Sequence, residues 1–264
     1  MYLDYWGFQK YPFENVPDPD FMYYSAEHEE ALVRLLYIIK RNKGAALLTG
    51  EVGCGKTTLS RVIIQHLPEK EFNVALVTNP SLEPFDFLRE VLHQFGLNPE
   101  TNSKADLINI LNNELLAKMN EQRISLLIID EAQLIKPETL EEVRLLLNFQ
   151  LNDRFLMTFV LIGQPELREI INAHEQLNQR IAIRYHLNPL GADETLGYIA
   201  FRLNKAGATR DIFDAQALDQ IFQYSQGVPR KINNVCDIAL LIGFSINAEK
   251  IDADIIRKVV DKSL

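Results

Sequence analysis

Gly50-Glu51-Val52-Gly53-Cys54-Gly55-Lys56-Thr57 carries the spacing G-x-x-x-x-G-K-[ST], and the fold is read outward from it. Gly50, Gly53 and Gly55 let the backbone curl so that successive N–H groups face phosphate oxygens. Lys56 is then placed to reach the β- and γ-phosphates, and the Thr57 hydroxyl to ligate Mg²⁺. Glu51, Val52, Cys54 and the following Thr58 complete the expected contact set. A helix beginning near Lys56 adds its positive N-terminal dipole to the same anion site. Ala45-Ala46-Leu47-Leu48-Thr49 before the loop is an apolar run of strand type, and Thr58–Ile64 continues with helical spacing. Strand, glycine loop and helix in that order imply a nucleoside triphosphate, read as ATP with Mg²⁺. Inside the loop, Cys54 reads first as a small buried side chain, with a thiol that bound nucleotide protects as the alternative.

Leu126-Leu127-Ile128-Ile129-Asp130-Glu131 is a continuous apolar run ending in two carboxylates. Such a run reads as a strand buried on both faces of a parallel sheet. Ligands of such sheets gather at the carboxyl ends of the strands, where these acids fall. Asp130 is the candidate for holding Mg²⁺ through its water shell. Glu131, alternating to the next face, is the candidate general base for an attacking water. The pair turns nucleotide binding into an expectation of hydrolysis.

The 264 residues suffice for one large or two moderate domains, and 47% hydrophobic content supports a core. A formal net charge of −9 argues against nucleic acid or anionic lipid as a partner of the whole surface. A local basic patch on an assembled ring stays open. Cys54 and Cys236 are the only cysteines, so a disulfide framework is not expected. No apolar run approaches the ~20 residues of a membrane span, and the N-terminus lacks a signal-peptide pattern. The expected location is cytoplasmic, with peripheral docking on a membrane complex left open. His28, His66, His93, His174 and His186 show no metal-ligand spacing and receive no catalytic role.

Strands are expected near 45–49, 73–78, 124–130, 156–162 and 183–187, with helices at 26–42, 56–67, 84–95, 103–120, 137–149 and 165–172. This alternation argues for a doubly wound parallel sheet, an α/β fold. After Leu190 only helices are expected, at 195–206, 215–226, 230–246 and 253–262. The domains are therefore drawn as an α/β phosphate-loop core over 1–190, including an aromatic and Pro-rich N-terminal segment, and a small all-helical lid over 191–264.

Three polar positions extend the site. Gln164 follows the apolar strand Val160–Gly163 and is a candidate for bonding the γ-phosphate or the attacking water. Arg180 and Arg184 flank and enter the strand before the lid, and Arg180 is the candidate arginine finger acting on a neighbouring subunit's nucleotide. Arg230, after Gly227-Val228-Pro229, opens a lid helix and is a candidate for reading the γ-phosphate in its own subunit.

Together these features resemble an AAA+ ATPase, and more closely the ExeA/GspA type associated with secretion and pilus assembly. The closer resemblance rests on Tyr5-Trp6-Gly7-Phe8, Pro12-Phe13, Pro17-Asp18-Pro19, Phe21, and Tyr24-Ser25 with His28. It continues through Leu48–Gly53, Asp130-Glu131-Ala132-Gln133, Ile162-Gly163-Gln164-Pro165-Glu166-Leu167 and Gln179-Arg180-Ile181, nearly the whole chain. It implies nucleotide-dependent homo-oligomers, as ring or filament, and a protein complex at a membrane as partner. It also implies an adenine pocket built partly from the N-terminal segment; Phe13 and Tyr23 are candidates for its lining, with core packing the more usual role of such rings. Larger members continue with a membrane helix and a peptidoglycan-binding part, which the sequence to Leu264 does not include. The module also resembles ATPases that regulate DNA transposition by coating DNA. That alternative needs a Lys/Arg stripe, for which Arg89, Lys104, Lys118 and Arg123 are scattered candidates. A third reading is a slowly hydrolysing, nucleotide-gated scaffold.

Overall fold

Five β-branched- and Leu-rich runs form the strands β1 (Ala45–Gly50), β2 (Phe72–Val77), β3 (Ile124–Ile129), β4 (Met157–Gly163) and β5 (Ile181–Leu187) in a computed structural model describing residues 2–263. All pair in parallel, in the order β2-β3-β4-β1-β5. β1 and β4 are buried along their whole length, as central strands of a doubly covered sheet must be. β5 lies at the edge and alternates buried and open positions. Because the strands run in parallel, Gly50, Ile129 and Gly163 end on one edge of the sheet, and Ile181 begins on the other.

The helices are α1 (Leu3–Trp6), α2 (Ala26–Arg41), α3 (Lys56–Gln65), α4 (Pro84–Gln94), α5 (Lys104–Asn120), α6 (Pro137–Leu146), α7 (Glu166–Ala173), α8 (Glu175–Asn178), α9 (Ala192–Lys205), α10 (Ala215–Ser225), α11 (Pro229–Ser245) and α12 (Ala253–Ser263). Their starts follow local chemistry. Pro84, Pro137 and Pro229 occupy first helical positions, where the missing N–H costs nothing. Ser103 accepts from Asp106 N–H at 3.3 Å and Asp214 from Ala217 N–H at 2.7 Å.

The chain divides into two compact units. The α/β unit comprises Glu29–Gly50 and Leu59–Leu187. Its core joins Leu47, Leu127 and Phe159 of the sheet to Phe87, Leu107 and Leu140 of the helices. Burying each such side chain contributes about 1.5–3 kcal/mol.

The helical unit comprises the chain up to His28, Glu51–Thr58 and the chain from Asn188 onward. In this division the N-terminal segment is grouped with the helices that follow Asn188. Tyr2, Trp6, Phe8 and Phe13 bury against Tyr198, Ile232, Leu240 and Ile256. Polar groups fix the docking. Trp6 Nε1–H donates to Leu240 O at 3.0 Å, and Arg202 donates to the carbonyls of Pro12 and Glu14 at 2.5 and 2.8 Å. Gly227 shows why the turn before α11 needs glycine. Its φ is +73°, and a Cβ there would meet Leu190 O at 1.8 Å.

Candidate functional site

The phosphate loop leaves the carboxyl end of β1 and enters α3. Gly53 and Gly55 adopt φ of +87° and +93°, the left-handed conformation that lets loop N–H groups turn inward. Lys56 is buried at 6% exposure, and its ammonium donates to Glu51 O at 2.9 Å. A lysine held inside its own loop beside the hydroxyl-bearing Thr57 and Thr58 fits a polyanion. Thr57 and Asp130 are hard oxygen donors, the type that suits Mg²⁺.

Two neighbours in the helical unit brace this loop. Arg230, at the start of α11, donates its N–H to Gly53 O at 3.3 Å. A Cβ on Gly53 would sit 2.6 Å from Arg230 Cβ. His28, 3% exposed, packs against the loop at Cys54 and Gly55. Its Nε2 is 3.1 Å from Cys54 O, and its Nδ1 is 2.7 Å from Ser25 Oγ. A carbonyl can only accept, so Nε2 carries the proton and Ser25 donates to Nδ1. Burial lowers the His28 pKa, with partial opposition from the Cys54 carbonyl and from Glu194 and Glu27. Sequence reasoning gave His28 no catalytic role; the signal was the Ser25-x-x-His28 spacing at the start of α2.

Cys54 does not behave as an exposed thiol. It is 1% exposed, and burial pushes its pKa up to about 11 despite the nearby Lys56. Phe13 and Tyr23 were candidates for pocket lining, with core packing as the favoured reading. Phe13 is buried with its ring edge-on to Phe213, and Tyr23 packs against Tyr198 and Phe201, so both rings serve the helical core.

On the α/β unit, β3 stops at Ile129, and Asp130 (3% exposed) follows at its carboxyl end. Glu131 does not continue the strand alternation that the sequence suggested. It takes φ 51° and ψ 36° and starts a one-turn 3₁₀ segment, Ala132–Leu134. A left-handed Glu is uncommon, and such strain collects at functional sites. Glu131 N–H donates to Asp130 Oδ1 at 2.9 Å. Gln133 Nε2 donates to Glu131 Oε2 at 2.5 Å, and Gln133 Oε1 accepts from Gln164 N–H at 3.0 Å. The sheet order puts β4 next to β3 and β1, so Gln164 follows the strand between the acid-bearing and loop-bearing ones. Gln133 was part of the quoted motif, but sequence reasoning assigned it nothing.

Arg180 precedes β5 at the opposite sheet edge and donates to Leu147 O at 3.2 Å. Arg184, within β5, donates to Asn178 O at 2.8 Å and also bonds its side chain. The cations considered for a nucleic-acid stripe are largely paired. Lys104 bonds Glu142, Lys118 bonds Glu114 and Glu121, and Arg123 bonds Phe72 O and Glu121. Among the described residues no helix is long and apolar enough to cross a membrane.

The AAA domain family model matches residues 39–171. General secretion pathway protein A of Aeromonas hydrophila is 40% identical over 254 residues, 95% of this chain and 46% of that protein. An uncharacterised HTH-type transcriptional regulator of Methanocaldococcus jannaschii is 22% identical over 255 residues, 81% of this chain and 62% of that one. The chain thus spans less than two thirds of these relatives. The crystal structure of Cdc6p from Pyrobaculum aerophilum superposes with a TM-score of 0.72 at 16% identity, over 94% of this chain and 71% of that chain. This last likeness is one of fold.

Proposed function

This chain belongs to the AAA+ ATPases of the ExeA/GspA type, and we propose that it hydrolyses Mg-ATP at the interfaces of a homo-oligomer to assemble or remodel a secretion- or pilus-type protein apparatus. It would do so from the cytoplasmic side, docked peripherally on a membrane complex. The observation that carries the reading is the division of functional residues between the two edges of the sheet. Gly50 ends β1 and Asp130 and Gln164 follow the carboxyl ends of β3 and β4, whereas Arg180 precedes the amino end of β5. The six Cα-to-Cα steps along the seven residues of β5, at ~3.3 Å each, separate those edges by about 20 Å. Arg180 is therefore remote from its own sheet's carboxyl edge and suited to a neighbouring subunit's nucleotide.

In this reading the loop N–H groups and Lys56 bind the phosphates. Glu131 takes a proton from the attacking water, and Gln164 and Arg230 report the γ-phosphate. Arg180 from the next subunit meets the charge that develops on the transferred phosphoryl group. Mg²⁺, when held by Thr57 and through water by Asp130, supplies neutralisation of the phosphate charge. The pairing of Lys104, Lys118 and Arg123 with acids and carbonyls favours a protein apparatus over DNA as the partner.

Sedimentation of Glu131→Gln with Mg-ATP, with and without duplex DNA at two salt concentrations, tests this reading. A nucleotide-dependent oligomer indifferent to DNA is expected. Co-assembly on DNA that weakens steeply with salt would replace the secretion reading with the transposition-type one.

A further inference from the structure

Between the base and the end of β4 a single carboxamide makes two directed contacts. The Gln133 NH₂ donates to Glu131 Oε2 at 2.5 Å, and its oxygen accepts the Gln164 N–H at 3.0 Å. The partners fix the amide orientation, since a carboxylate must meet the NH₂ and a backbone N–H must meet the oxygen. Neither contact survives reversal. The surrounding backbone is shaped to admit this link. A Cβ on Gly163 would lie 2.5 Å from Gln133 Oε1 and 2.7 Å from Leu167 Cδ2, so the residue before Gln164 leaves no room for a side chain. Glu131 itself is held in left-handed conformation, so the strand alternation ends before it.

We propose that Gln133 is a positioning residue for hydrolysis, clamping the Glu131 carboxylate to the main chain of Gln164 so that the base and the tip of β4 move as one. The clamp rests on the reading of Glu131 as the base. A carboxylate on a three-torsion side chain is otherwise free to rotate away from the water, and misplacement of about 1 Å can cost on the order of 10²-fold in rate. Hydrogen bonds in series through one amide polarise each other, which tightens the link. When Gln164 engages phosphate, displacement of its N–H is transmitted through the Gln133 amide to the carboxylate.

Gln133→Glu tests the clamp, because it keeps length and the acceptor for Gln164 but replaces the donor to Glu131 with a second carboxylate. Steady-state turnover is expected to fall about 10–100-fold, while Mg-ATP affinity, read with a fluorescent analogue, stays within about twofold. A merely structural role would move binding and thermal stability together with turnover. In Glu131→Gln, adding Gln133→Glu is expected to cause no further loss in single-turnover hydrolysis, since Gln133 acts through the base. If Gln133→Glu does not fold, Gln133→Met, of similar length and unable to donate, is expected to give the same loss. Wild-type turnover in either variant, or an additive loss in the double variant, overturns the clamp. Wild-type turnover in Glu131→Gln alone removes the base reading and the clamp with it. An inactive Glu131→Gln beside a fully active Gln133→Glu removes only the clamp.

Discussion

The tautomer of His28 is forced by what surrounds it. With Nε2–H given to Cys54 O and Nδ1 accepting from Ser25, the neutral ring bridges the N-terminal segment and the phosphate loop. Removing the ring in His28→Ala leaves a buried carbonyl unpaired and a cavity beside Gly55. The expected cost is about 2–4 kcal/mol of stability, with weaker Mg-ATP binding, read by denaturant melts and nucleotide titration. The pH dependence has a definite sign. Burial keeps the native imidazole pKa below its usual value of about 6.5, although Glu27 and Glu194 oppose this, so the unfolded chain takes the proton first. Stability from the neutral ring is complete above about pH 6.5 and is lost as pH falls toward the depressed native pKa. The melting temperature of the wild type should therefore fall more steeply between pH 7 and 5 than that of His28→Gln; parallel curves would remove this account. Gly53→Ala is a harsher change. It places a Cβ at φ +87° and 2.6 Å from Arg230 Cβ, so strain of about 1–3 kcal/mol and loss of nucleotide binding are expected in the same two assays.

At the scale of elements, the strands and long helices were legible because buried parallel strands and amphipathic helices carry strong periodic signals. β1, β3 and β4 read as largely apolar runs, and the helices expected at 84–95 and 103–120 coincide closely with α4 and α5. What the sequence did not reveal depends on tertiary partners. Tyr5, Trp6 and Phe8 are aromatic wherever they dock, and nothing local says that their cavity is built by α9, α11 and α12, over 180 residues away. The left-handed turn at Glu131 was equally hidden, since it breaks the strand alternation that the residues before it establish. The loop stands out by its fixed spacing and the Asp-Glu pair and Gln164 by following apolar strands, whereas the links through His28 and Gln133 close only in three dimensions. The docking of α1 makes its own prediction. Trp6 is 2% exposed, bonds Leu240 O and packs on Gly243, where a Cβ would come within 2.9 Å of the ring. Trp6→Ala should destabilise the helical unit by about 3–5 kcal/mol, followed by circular dichroism because Trp6 is the chain's one tryptophan. A melt unchanged from wild type would mean that the N-terminal segment is not part of that unit's cooperative fold.

At the scale of the whole molecule, the sheet's two edges pose a question that one subunit cannot answer. Its carboxyl edge carries Asp130 and Glu131, and Arg180 stands at the other edge, bonded to Leu147 O. If hydrolysis needs both in one site, each active site is assembled from two subunits, and a defect in one partner is repairable by the other. Arg180→Ala should bind Mg-ATP with near wild-type affinity yet lose about 10³-fold or more in turnover, the range associated with a guanidinium delivered in trans. Glu131→Gln should also bind and fail to turn over. Each variant is dead for a different reason. In mixed oligomers some interfaces join an intact Glu131 from the Arg180→Ala subunit to an intact Arg180 from the Glu131→Gln subunit. Mixing the two inactive proteins should therefore restore turnover that neither has alone, rising with total protein concentration as oligomers form. A mixture that stays inactive while sedimentation shows co-assembled subunits would mean that Arg180 does not complete its neighbour's site. Full activity of Arg180→Ala alone would leave Arg180 as a support for the loop after α6 through its bond to Leu147, with no part in hydrolysis.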